Sequence, residues 1–227
     1  MPLRVNDEAP NFTADTTRGR ITFHDWIGDG WVILFSHSKD FTPVCTTALG
    51  YVARLTQEFE KRNCKIIGLS VDPVDDLSKW AKDIEETQGH AVNYPLIGDP
   101  ELKVTKLYDL MPDDLLPDDA STTSQGRTPA QNPPVRTVFL ISPDKKIRMS
   151  LTYPMSTGCN FNDVLRVLDS IQLMAKHEVA APANWNAPEG LIFVPTDPDE
   201  YPRKQGFWDW LRALFGREEK RYESGNS

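Results

Sequence analysis

An α/β fold whose sheet is at least partly parallel is predicted by three observations. Residues 31–37, WVILFSH, and residues 65–71, KIIGLSV, are short apolar runs rich in aromatic and β-branched residues, so both read as buried strands. Between them Leu49, Val52, Ala53, Leu55 and Phe59 recur at helical spacing. A strand, a helix and a second strand in so short a stretch make the right-handed crossover unit of a parallel sheet.

The later elements follow from turn and cap chemistry. Asp72-Pro73 and Asp99-Pro100 each read as an N-cap followed by proline at the first helical position, and predict two short helices. Residues 136–142 (RTVFLIS), the turn Pro143-Asp144-Lys145-Lys146 and residues 147–153 (IRMSLTY) read as a hairpin at a sheet edge. From about Asn160 a helix carries Val164, Leu168, Ile171 and Met174 along one face and is expected to close the core. Residues 112–134, rich in Pro, Asp, Ser, Thr and Gln, read as a long loop. Beyond about residue 178 prolines accumulate, at Pro182, Pro188, Pro195, Pro198 and Pro202, ahead of the end FWDWLRALFGREEKRYESGNS, which reads as an appendage.

With 227 residues, 39% of them hydrophobic, the chain can hold one packed core and a smaller tail. The formal net charge of −8 argues against nucleic acid as a partner, since that affinity rests on clustered Lys and Arg. No run is long enough for a spanning helix, and the start, MPLRVNDEAP, lacks the apolar stretch of a secretory signal. A cytoplasmic protein is expected, with an organelle as the alternative if a transit peptide has been removed. Cys45, Cys64 and Cys159 are too few and too scattered for a disulfide scaffold, which fits a reduced compartment.

The stretch from Ser36 to Cys45 runs from the end of a strand into a helix. Thr42 as N-cap and Pro43 as first helical residue place Cys45 in the first turn, where unpaired N–H groups and the positive helix end favour a thiolate. Cys45 is thus a candidate nucleophile. The alternative is a structural cysteine, because free Cys is commonly buried, and helix position leaves both readings open.

HSKDFTPVCTTAL resembles the signature Pro-x-x-x-Thr/Ser-x-x-Cys of the peroxiredoxins, and the resemblance extends through KIIGLSVD (65–72), Arg136, YPMSTGCNF (153–161) and ANWN (183–186). It covers roughly residues 3–195 and is closest to the one-cysteine branch, because the carboxy-terminal Val-Cys-Pro of the typical two-cysteine branch is absent. The resemblance implies a thioredoxin-like fold with a central mixed sheet flanked by helices, with that domain over residues 1–170 and a C-terminal domain with an aromatic tail over residues 171–227. It implies a thiol peroxidase without metal or organic cofactor, a homodimer, and reduction of the sulfenate by glutathione or a thioredoxin-like protein. Cys45 attacks the hydroperoxide, Thr42 bonds it, Arg136 favours the thiolate and the departing oxygen, and His37, Pro43 and Val44 line the pocket. Arg136 read alone is also consistent with a strand-end surface charge, and His37 with a histidine satisfied by nearby backbone.

Three positions depart from the pattern: Ser38 replaces the signature proline, Ala48 a glutamate and Cys159 a second arginine. Loss of only one member of that ion pair would strand a charge, so Ala48 and Cys159 read as a joint change. Reduced activity is therefore expected, and the rival reading is an inactive assembly subunit. Cys159 is a candidate resolving cysteine, with a small residue filling the arginine's space as the alternative, and Cys64 reads as filler. Gly28-Asp29-Gly30-Trp31-Val32 matches the lipase-like Gly-x-Ser-x-Gly of some relatives but has no serine, so His24 and Asp144 are expected to be structural and no phospholipase activity is expected. Phe207, Trp208, Trp210, Leu211, Leu214 and Phe215 offer a surface for a protein partner or dimer, ahead of self-packing and of membrane contact.

Overall fold

The computed structural model describes residues 3–37, 42–111, 134–154, 156–176, 179–186 and 192–193. The chain divides into two compact units after Phe161.

In the first unit seven strands form one mixed sheet in the order β2 (Gly19–Thr22), β1 (Thr13–Thr16), β5 (Leu96–Gly98), β4 (Cys64–Ser70), β3 (Trp31–Ser36), β6 (Arg136–Ile141), β7 (Ile147–Tyr153). Its centre is apolar throughout. All residues of β3 (Trp31–Ser36) and β6 (Arg136–Ile141) are buried, as is β4 (Cys64–Ser70) except at Lys65. Strands covered on both faces lose the polar alternation of a half-exposed strand, which is why these runs were so legible. Side chains nevertheless alternate: Val32 and Leu34 join Ile67, Leu69, Phe139 and Ile141 in one core cluster, while Ile33 and Phe35 point to the opposite face. β3 and β4 pair in parallel, joined by α2 (Pro43–Glu60) as expected. β6 and β7 (Ile147–Tyr153) make the expected edge hairpin, with β6 antiparallel to β3.

α3 (Val74–Gln88) buries Leu77, Trp80 and Ile84 and ends at Gly89, whose φ of 71° is the left-handed turn that glycine adopts without strain. Gly50 of α2 lies where an added Cβ would sit 2.6 Å from the Gln88 side chain, so the two helices approach more closely than a larger residue allows.

The caps differ from expectation. Pro73, not Asp72, occupies the N-cap of α3, because its ψ of 152° is still extended, and the helix is a long one rather than short. α4 (Lys103–Leu107) starts beyond Pro100, after Leu102 in a left-handed conformation. Asp99 still caps it from upstream: its carboxylate accepts from the N–H groups of Lys103 at 2.8 Å and Thr105 at 2.7 Å, and from the Thr105 hydroxyl at 2.7 Å.

Four elements carried no sequence signal. The hairpin of β1 (Thr13–Thr16) and β2 (Gly19–Thr22) is short, polar and largely exposed; α1 (Phe23–Ile27) and β5 (Leu96–Gly98) are too short to show a period. In the second unit α5 (Phe161–Lys176, its first residue in the first unit) buries Val164 and Leu168 but leaves Ile171 half-buried and Met174 exposed, so the buried face ends earlier than the spacing suggested. β8 (Val179–Ala180) pairs with β9 (Ile192–Phe193). Of residues 112–134, read from the sequence as a long loop, 112–133 lie outside the described residues, as do Ser38 and the aromatic tail.

Candidate active site

β3 runs out at Ser36, and the chain re-enters regular structure at Thr42, whose extended backbone (φ −88°, ψ 139°) makes it the N-cap of α2 with Pro43 next. The Thr42 hydroxyl makes no cap bond to the helix; instead the Thr42 carbonyl accepts the Thr46 N–H and hydroxyl, both at 2.9 Å. Cys45 sits in this first turn, fully buried, where N–H groups and the helix dipole face it. Val44 is half-buried and Pro43 exposed.

Arg136 comes to Cys45 through the sheet. Because β6 is antiparallel to β3, its first residue lies beside the end of β3, where the chain turns toward α2. Arg136 is 3% exposed, and its guanidinium Nη2 donates to Cys45 Sγ at 3.2 Å while Nη1 donates to the Thr157 carbonyl. Arg136 is thus a buried charge beside the sulfur and not the surface cation its strand-end position also permitted.

Ser36 holds this arrangement in register and was not recognised from sequence. The β3–β6 ladder ends at the pair Phe35–Val138, and there the Ser36 hydroxyl takes over: it donates to the Val135 carbonyl at 2.6 Å and accepts the Thr137 N–H at 3.0 Å. Both neighbours of Arg136 are tied to one hydroxyl. A polar residue closing the otherwise apolar run WVILFS was the available signal. Ser36→Ala leaves a buried donor and a buried acceptor behind, and should lower stability by about 1–3 kcal/mol in urea unfolding; an unchanged midpoint would contradict this.

His37, the next residue, is 2% exposed, with its ring centroid 5.2 Å from that of Trp80. Burial, aided by the Arg136 charge, lowers its pKa from 6.5 to about 3, so it is a neutral imidazole at physiological pH. Trp80 in turn donates its indole N–H to the Thr46 hydroxyl at 3.2 Å, which ties the first turn of α2 to α3. Cys159 lies between β7 and α5, a free half-buried thiol. Burial pushes it up to about 11, with the Arg136 charge opposing and the Cys45 charge adding to the shift. Ala48 is half-buried in α2.

Cys64 is elsewhere. It starts β4, at the opposite end of the parallel pair from Cys45, and burial pushes its thiol up to about 12. There it lines a cleft of about 350 Å³ with Trp26 and Tyr94. The His24 ring bonds the Ala9 carbonyl at 2.7 Å, and Asp144 bonds the Ser142 hydroxyl and Arg148, so each has a structural occupation in the N-terminal segment and the β6–β7 turn. Among the described residues no three His, Cys, Asp or Glu side chains are grouped to hold a metal ion.

Residues 5–150 match the AhpC/TSA family. A 1-Cys peroxiredoxin of Dictyostelium discoideum is 48% identical over 202 residues, covering 89% of this chain and 78% of that protein. Peroxiredoxin-6 of Gallus gallus is 47% identical over 210 residues, covering 90% and 89%. The chain belongs to the one-cysteine peroxiredoxins.

Solved structures agree with this. A yeast mitochondrial 1-Cys peroxiredoxin, studied for thiol resolution via the glutathione and thioredoxin systems, superposes with a TM-score of 0.77 at 43% identity over 94% of this chain and 93% of its own. A mutant peroxiredoxin 6 of Arenicola marina gives 0.76 at 38% identity over 93% and 89%. The thioredoxin-like fold implied by the sequence resemblance is therefore the fold of this peroxiredoxin. Among its described residues no helix is long and apolar enough to cross a membrane.

Proposed function

We propose that Cys45 carries the thiol-peroxidase chemistry of this peroxiredoxin, acting on hydrogen peroxide and organic hydroperoxides. The observation that supports it best is the 3.2 Å contact between Arg136 and the buried Cys45 sulfur, since a buried guanidinium is most readily accommodated beside an anion. In the reaction the Cys45 thiolate attacks the terminal peroxide oxygen. The S–O bond forms as the O–O bond breaks, the sulfur is oxidised by two electrons, and the leaving oxygen departs as water or an alcohol after taking a proton. Arg136 neutralises the negative charge as it passes from sulfur to the leaving oxygen, and Thr42, at the mouth of the first turn, bonds the peroxide. His37, kept neutral, adds no second positive charge beside Arg136. An external thiol, glutathione or a thioredoxin-like protein, then supplies the electrons that restore the Cys45 thiol.

Ala48 and Cys159 supply neither the carboxylate nor the second guanidinium that the family resemblance leads one to expect, so among the described residues Arg136 is the cation against the sulfur, and a reduced rate follows. No observation favours the rival reading of an inactive subunit. A reducing compartment suits three free thiols, and the cytoplasm is the proposed location. A homodimer is proposed as the assembly.

Intact-mass spectrometry after a brief pulse of one equivalent of hydrogen peroxide, with a sulfenic-acid trap present, tests the assignment. In the Cys159→Ser chain, where no internal thiol competes, the trap should label Cys45 within seconds, and the Cys45→Ser chain should stay unlabelled. Labelling no faster than that of a free thiol refutes it.

A further inference from the structure

Cys159 occupies a position with a chemical context of its own. Arg136 reaches two groups at once, Cys45 Sγ through Nη2 and the Thr157 carbonyl through Nη1. The sulfur and the segment that carries Cys159 are thereby pinned to a single planar group. The Thr157 N–H bonds the Pro154 carbonyl at 2.9 Å and closes the turn. Next comes Gly158, where an added Cβ would meet nothing within 4 Å, so the residue beside Cys159 has open space and the backbone freedom of glycine.

We propose that Cys159 is the resolving thiol of this chain, condensing with the sulfenic acid formed at Cys45 to give a disulfide within one molecule. This rests on the assignment of Cys45 above. The Cys159 sulfur attacks the Cys45 sulfur and the S–O bond breaks; the hydroxyl leaves as water with the proton that Cys159 gives up. No electrons are exchanged beyond the two already taken by the peroxide. An external dithiol then supplies two electrons and two protons and restores both thiols.

The charges around Cys159 order these steps. While Cys45 is a thiolate, its charge adds to burial and keeps Cys159 protonated, so Cys159 does not compete for peroxide. A neutral sulfenic acid removes that charge and leaves Arg136 opposing burial alone. Cys159 thus becomes more acidic, with a larger share of thiolate, only after Cys45 has reacted. Bond formation needs the two Cα atoms within about 4.4–6.8 Å, so any larger separation would require the first turn of α2 to unwind.

The test uses the full reduced chain, with no other thiol present, and one equivalent of hydrogen peroxide. The wild type should lose two of its three thiols and about 2 Da, run as a single chain on non-reducing electrophoresis, and yield a peptide linking Cys45 to Cys159. Cys159→Ser should lose one thiol, gain about 16 Da, and go on to about 32 Da in excess peroxide. If the wild type also stops at the sulfenic acid, or links between chains, the resolving role is overturned while the peroxidase assignment stands. If Cys45 stays reduced and peroxide persists, both are overturned.

Discussion

Replacing Arg136 with Met should slow peroxide reduction by about 10²–10³-fold, the usual cost of removing one electrostatic donor from a developing anion, or about 2.7–4 kcal/mol of barrier. Met keeps length and apolar bulk but has neither charge nor donors. The thiolate then loses its 3.2 Å partner, and the Thr157 carbonyl loses its own. Arg136→Lys separates charge from geometry: a single ammonium cannot hold the sulfur and the carbonyl in one plane, so it should recover part of the loss and remain about tenfold slow. Stopped-flow measurement of the second-order rate with hydrogen peroxide reads both variants. A Met variant within about threefold of wild type would remove Arg136 from the reaction. Removing one member of a buried pair destabilises by about 3–5 kcal/mol, so the rates are compared on variants whose circular dichroism and urea midpoint show them to be folded.

The second large effect is on acid stability. His37 titrates at about 3 when folded and at 6.5 in the reference state. Between these values the unfolded chain binds a proton that the folded chain refuses, so stability falls as pH drops through that window. The loss from this residue reaches about 3 kcal/mol at pH 4.5 and about 4 kcal/mol near pH 3. His37→Phe fills the same space against Trp80 and cannot take up a proton. Urea unfolding at pH 7.5 and 4.5 should therefore show a smaller acid loss in the variant, by about 2–3 kcal/mol. Equal losses in the two proteins would mean that the ring is protonated, or reaches water, in the folded state.

What the sequence disclosed follows from how far each element is covered. β3, β4 and β6 are buried on both faces, and their apolar runs stand out without any alignment; α2 was framed by Thr42 and Pro43 before Cys45. The β1–β2 hairpin is polar and the three residues of β5 show no pattern, so their places in the sheet depend on partners distant in the chain, such as Thr16 opposite Ile97. At the site, Cys45 was legible as a helix-start cysteine and Arg136 through the family resemblance. Their contact was not legible, because it depends on β6 running antiparallel to β3. Ser36 was missed because its work is done on the backbone on either side of Arg136, which leaves no spacing to read.

The Tyr94 hydroxyl donates to the Leu49 carbonyl at 3.0 Å in a buried setting, one residue from the close approach of Gly50 to Gln88. These two contacts hold α2 partway along its length, and any uncoiling from Thr42 would meet them there. From Leu49 back to Cys45 the helix rises only about 6 Å, but the same residues drawn out span about 14 Å. The two contacts therefore set the length of a tether: the oxidised sulfur can swing out to meet a thiol while the body of the helix keeps its seat.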